Sequence, residues 1–297
     1  MGDERAFRRW VAAASVCGVL LAGCTSGDAA EDGRTGKDES GQRGGGTAAP
    51  SPRAGAADGG KGGKAGDDPE APTLESVRAD PDRLPEGAGE ARKLIGAVIA
   101  GPELFGPEVV RGSPYERPAG DWAVLEADCD WQRGGLPDDV LATRTRYYEV
   151  PAAGGKGPVH LTATVTVHRT AEDADWANAA MLEEAMRCPD QQLAGGEKLR
   201  GLISNSSHFG EAQNLYAEDA LNESGEYVSE TLGGPHPYWW SQFRTGSVLV
   251  SVAVRPGKGH STQSTGFLHE PLVRMLLRLQ ERVGPARPSP EPSEEGK

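Results

Sequence analysis

No hydrophobic run in this chain is long enough to span a bilayer. The longest, from Trp10 to about Ala22, is roughly a dozen residues, where a spanning helix needs about 20. Basic charge is also short: 31 Lys and Arg stand against 44 Asp and Glu, a formal net charge of −13, which makes nucleic acid and anionic head groups poor partners. Cysteine is scarce, with four residues in 297 and no CxxC spacing. The six histidines, His160, His168, His208, His236, His260 and His269, show no i, i+4 or HxH pair, so a metal site is not indicated. GxSxG is missing, and the Gly/Lys stretch from Gly60 to Gly66 follows no strand pattern and makes no phosphate loop. No catalytic, cofactor-binding or metal-binding residue is therefore assigned.

At the N-terminus, Arg5, Arg8 and Arg9 precede the apolar run, and Leu21-Ala22-Gly23-Cys24 closes it. That order is a secretory signal of residues 1–23 ending in a bacterial lipobox. Small residues before the cysteine admit a membrane peptidase, and the Cys24 thiolate accepts a diacylglyceryl group. Two acyl chains retain a protein stably at a bilayer where one does not, so the expected location is the extracytoplasmic face of the cell membrane, held by lipid. Cleavage by the ordinary secretory peptidase is the alternative. Arg8-Arg9 leaves the export route open between the general and twin-arginine pathways.

Residues 24–85 read as the lipidated cysteine and a tether. Gly, Ala, Asp, Ser, Pro and Lys dominate there, so little apolar surface is available to offset chain entropy. As a flexible coil of about 60 residues, its ends would lie roughly 40 to 45 Å apart. Residues 86–283 form one domain in this reading, and 284–297, rich in Pro, Ser and Glu, a frayed tail. Cys17 leaves with the signal and Cys24 carries lipid. An oxidising compartment then makes a Cys129–Cys188 disulfide the default, with two buried thiols as the competing state.

Within the domain, Ala91 to Ala100 reads as a helix stopped by Gly101-Pro102. Strands are expected at 122–131, 140–150 and 159–168, the last alternating Leu161, Ala163, Val165 and Val167 with His160, Thr162, Thr164 and Thr166. Gly154-Gly155 turns the second of these into the third. Thr170-Ala171-Glu172-Asp173 is a capping box opening a helix to about Arg187, with Trp176 on its apolar side and Glu183 and Glu184 on a solvated acidic face. The sequence loosens from Gln191 to Leu232, with strands near 201–204 and 215–221. A hairpin then joins Trp239–Phe243 to Ser247–Val254, and a helix from Gly266 to Val283 carries Leu268, Leu272, Met275, Leu276, Leu279 and Val283 on one stripe. The predicted class is α+β, a twisted antiparallel sheet with helices packed mainly on one face.

Tyr238, Trp239 and Trp240, after Pro235-His236-Pro237, form the densest aromatic cluster, and Trp131 follows Cys129-Asp130. Flat apolar rings with a polar edge suit sugars, lipids or a protein partner, so these four are the candidate ligand-binding residues. The lipobox and tether, Cys129-Asp130-Trp131, the strand and capped helix from Val165 to Arg187 and the closing Cys188 resemble a family. It is that of sensor-like extracellular domains on actinobacterial lipoproteins and on membrane Ser/Thr kinases of the PknH type. The resemblance implies a sheet with a cleft for a small or cell-wall-derived ligand, and no catalysis. The expected function is binding or sensing of a cell-envelope ligand. A cell-envelope hydrolase or transferase without a recognisable motif, and a structural partner of another membrane protein, are the alternatives.

Overall fold

The computed structural model describes residues 71–260 and 266–285; the signal, Cys24, the tether up to residue 70 and the tail from residue 286 lie outside them. Short helix α1 (Leu74–Val77) and α2 (Ala88–Val98) lead into ten strands: β1 (Val110–Glu116), β2 (Asp121–Leu125), β3 (Trp131–Gly135), β4 (Val140–Val150), β5 (Val159–His168), β6 (Gln191–Gln192), β7 (Glu197–His208), β8 (Asp219–Ser229), β9 (Gly233–Thr245) and β10 (Val248–Pro256). Helix α3 (Ala171–Arg187) follows β5, and α4 (Gly266–Val283) closes the described chain. Eight strands make one open sheet in the order β1-β4-β5-β10-β9-β8-β7-β6, all neighbours antiparallel, while β2 and β3 pair as a separate hairpin. The class is α+β.

Period-two alternation assigns the two faces of the sheet. Val167, Val165, Ala163 and Leu161 of β5 stand opposite Val248, Val250, Val252 and Val254 of β10, and all eight are buried. Against this face pack α2, through Ala91, Ile95 and Val98, and α4, through its stripe from Leu268 to Val283. The apolar spacing of α4 places these groups on one side of the helix, and their burial is the main core. The other face carries Thr162, Thr164 and Thr166 of β5, with Thr143 and Thr145 of β4 hydrogen-bonding across to Thr166 and Thr164 at 2.8 and 3.0 Å. Helix α3 lies on this second face, where Gln242 of β9 donates to Asn178 of α3 at 3.1 Å. Two of the three long helices thus share one face.

Several local expectations change. Residues 71–85 were expected in the tether, yet Val77 is buried, Ala79 and Leu84 pack on the main core, and the Asp80 amide donates to the Val283 carbonyl. Arg83 also donates to the Gly284 carbonyl, so the folded body begins before Glu86. The single strand expected at 122–131 is instead β2, a turn and the start of β3; Cys129 sits in that turn at φ 67°. The loose region 191–232 is mostly two long strands, β7 and β8, and Leu215 lies exposed in the loop joining them. At Gly225 of β8 a Cβ would meet the Arg200 carbonyl at 2.8 Å, so glycine permits the close approach of the β7 bulge. On α3, Trp176 is 70% exposed and small or polar groups, Ala174, Asn178 and Ala185, are buried instead.

A candidate ligand cleft on the second sheet face

The second face is not fully covered. Between the C-terminal half of α3 and the β2–β3 hairpin, the floor of β4, β5, β10, β9, β8 and β7 forms a cleft of about 430 Å³. Trp131 of β3 and Met181 and Glu184 of α3 wall it, and Tyr238, Trp240 and Glu223 are on its floor. A second hollow of about 520 Å³ shares Arg117, Arg133, Tyr147 and Arg255 with it and runs on toward β1, so the two are neighbours along one groove.

Covalent and hydrogen-bonded links hold the wall in place. Cys129 and Cys188 are disulfide-bonded, with Cα atoms 5.5 Å apart, which ties the β2–β3 turn to the end of α3. The Gln192 amide donates to the Cys129 carbonyl at 2.9 Å, and Trp131 Nε1 donates to Gln191 Oε1 at 2.7 Å. Turn, helix end and β6 therefore form one unit beside the cleft. The capping box of α3 is also present: Thr170 Oγ1 accepts from the Asp173 amide at 3.0 Å, and Asp173 Oδ2 accepts from the Thr170 amide at 3.1 Å.

Register explains which of the four candidate aromatics reach the cleft. Trp240 is the Cα partner of Glu223 on β8 and of Ala253 on β10, all three of which line it. Tyr238, two residues away, shares that face. Trp131 enters from the hairpin. Trp239 pairs with Val254, packs on the main core from the other face, and leaves the candidate set.

Charged side chains divide the groove. Around its middle, Arg255 Nη1 donates to Glu197 Oε2 at 2.9 Å, Arg133 Nη1 to Asp121 Oδ2 at 2.9 Å, and Arg117 Nε to the Tyr147 hydroxyl at 3.0 Å. At the β8 end, two carboxyl groups meet. Glu223 is 8% exposed; burial, then the neighbouring Glu184 charge, pushes its carboxyl up to about 7. Burial also raises Glu184, whose Oε2 is buried without a hydrogen-bond partner. Glu184 thus departs from the solvated face expected for it. Glu223 escaped sequence reading altogether, because Leu221, Glu223, Gly225 and Tyr227 alternate along a strand that looks like a polar loop. The available signal was a glutamate in register with Leu221 and Tyr227, both fully buried.

Among the described residues, no group of three His, Cys, Asp or Glu is arranged to hold a metal ion, and no helix is long and apolar enough to cross a membrane. No family model and no curated protein sequence matches the chain. A solved structure similar to it is the extracellular domain of PknH from Mycobacterium tuberculosis, at 10% identity and a TM-score of 0.35, covering 71% of this chain and 98% of that one. At that score the likeness carries no argument about this chain.

Proposed function

We propose that the protein is a lipid-anchored extracytoplasmic lipoprotein whose domain binds an extended, ring-bearing ligand of the cell envelope without turning it over. The observation that carries this reading is the groove itself: Trp131 and Trp240 offer flat apolar surface beside a row of arginine and glutamate side chains. Ligand sites combine apolar walls with a few convergent polar groups in this way, and stacked rings suit sugars. The lipobox ending at Cys24 supports attachment to the membrane, and the Cys129–Cys188 disulfide fits an oxidising compartment.

One observation favours a second reading, a glycan hydrolase or transferase, because paired carboxyl groups are the equipment of glycoside cleavage. That chemistry needs the two pKa values pushed apart, so that one group gives a proton while the other is an ionised base or nucleophile. Here burial raises both Glu184 and Glu223. The Glu184 charge raises Glu223 further, so Glu223 is the group that keeps its proton, and the binding reading rests on the aromatic groove and not on the state of this pair.

Single replacements Trp131→Ala, Trp240→Ala and Trp239→Ala, screened by thermal shift against muropeptides, oligosaccharides and lipids, test the reading. The expected result is a ligand response in the parent and in Trp239→Ala that is lost in the other two. Retention in all three stable variants overturns it, and product formation from a bound glycan would favour the hydrolase.

A further inference from the structure

The β8 end of the cleft brings two carboxyl groups together, with one serine hydroxyl beside them. Glu184 reaches it from α3 and Glu223 from β8, and the hydroxyl of Ser204, the cross-strand partner of Glu223 on β7, stands beside the Glu223 carboxyl. Glu184 Oε2 is buried and unpartnered. Buried polar atoms in native proteins nearly always find partners, so the unpartnered Glu184 Oε2 beside the buried Glu223 carboxyl calls for a ligand that donates. A metal ion is a poor fit, since a divalent cation takes more ligating groups than two carboxylates supply and no third His, Cys, Asp or Glu joins them among the described residues. An alkylammonium group has three N–H donors and one positive charge, matching two carboxylates and a hydroxyl. Trp240, directly across the β8–β9 ladder from Glu223, adds an aromatic neighbour of the kind that attracts organic cations.

Building on the groove as a ligand site, we propose that the ligand bears a protonated primary amine, as in an amino sugar or a diamino acid, seated between Glu184, Glu223 and Ser204. Binding then replaces a proton. Empty, the pair retains one near neutral pH because burial disfavours two adjacent charges; an ammonium ion lets both carboxylates ionise. Other charged or titratable groups around the pair are Glu183 and Arg187 on α3, Glu197 on β7, Tyr238 on β9 and Arg255 on β10.

Chitosan tetrasaccharide and its fully N-acetylated counterpart, which present the same rings with and without amines, provide the test by titration calorimetry at pH 6 in two buffers of different ionisation enthalpy. The amine form should bind at least about tenfold more tightly, with net proton release, as expected for charge-assisted hydrogen bonds. Glu223→Gln and Glu184→Gln should each largely abolish that preference. Glu183→Gln, which removes the same charge from the exposed side of α3, should keep it and so separates the site from general attraction to an acidic protein. Equal binding of the two oligomers, or equal loss in Glu183→Gln, overturns the amine site while leaving the groove reading intact. Binding of neither oligomer overturns the amine site, and the wider ligand screen then decides the groove.

Discussion

Replacing Glu223 by Gln should stabilise the protein, and only above acid pH. Its carboxyl moves from an ordinary value of 4.5 to about 7 in the folded state, mainly through burial and secondly through Glu184. A carboxyl with a raised folded value favours the protonated form, so its burial is harmless below the unfolded pKa and costs stability as pH rises toward the folded pKa. Each pKa unit corresponds to about 1.4 kcal/mol, which gives a cost near zero at pH 4, about 2 kcal/mol at pH 6 and about 3 kcal/mol at pH 8. The neutral, nearly isosteric amide escapes that cost. Urea unfolding of parent and Glu223→Gln at pH 4, 6 and 8 measures it directly, and for a domain of this size the gain at pH 8 corresponds to a rise in Tm of roughly 6 to 12 °C. A difference that stays constant with pH, or a variant destabilised at pH 8, would refute the placement of Glu223 as a buried carboxyl beside Glu184.

Three further outcomes are expected. Replacing both Cys129 and Cys188 with Ala removes a cross-link closing a loop of 59 residues, and should cost about 4 kcal/mol in chain-entropy terms, read by urea unfolding. Ligand response should weaken in the same variant, because the bond ties Trp131's turn to α3. Thr170→Ala removes the N-cap of α3 and should lower stability by about 1 kcal/mol, checked by thermal unfolding, with Asp173→Ala giving a similar loss. On the proposed lipid anchor, both acyl chains would depend on the Cys24 thiol, so Cys24→Ala should release the protein from the membrane fraction; unchanged partitioning on fractionation would refute that anchor.

How far the sequence was legible depended on whether a strand or helix buried one face in simple apolar surface. β5 alternates valine and threonine because one face meets α2 and α4, and α4 carries its stripe because one side meets β10, so both were readable. β7 and β8 were not. Their second face lines the cleft, where Glu197 and Glu223 stand beside Leu199, and cleft-lining polar groups break the alternation that marks a strand. The turn at Cys129 was hidden because Trp122 to Trp131 is apolar enough to look continuous; the Asp130 amide donating to Asp128 Oδ1 at 3.3 Å and the positive φ of Cys129 reverse the chain. Trp176 misled for the opposite reason. Its spacing fits an inward face, but on α3 Asn178 and Met181 meet the sheet and the cleft, leaving the indole outside. Of the aromatic cluster, composition identified the rings, and only register could divide Trp240 from Trp239.

Indole N–H signals in an NMR titration of the uniformly labelled domain with muropeptides and amino-sugar oligomers test the ligand groove most directly. The Trp131 and Trp240 signals should shift together and saturate, while those of Trp176, exposed on α3, and Trp239, on the opposite face, stay in place. Saturable shifts of Trp176 or Trp239 with Trp131 and Trp240 unmoved would contradict a binding site on this face of the sheet.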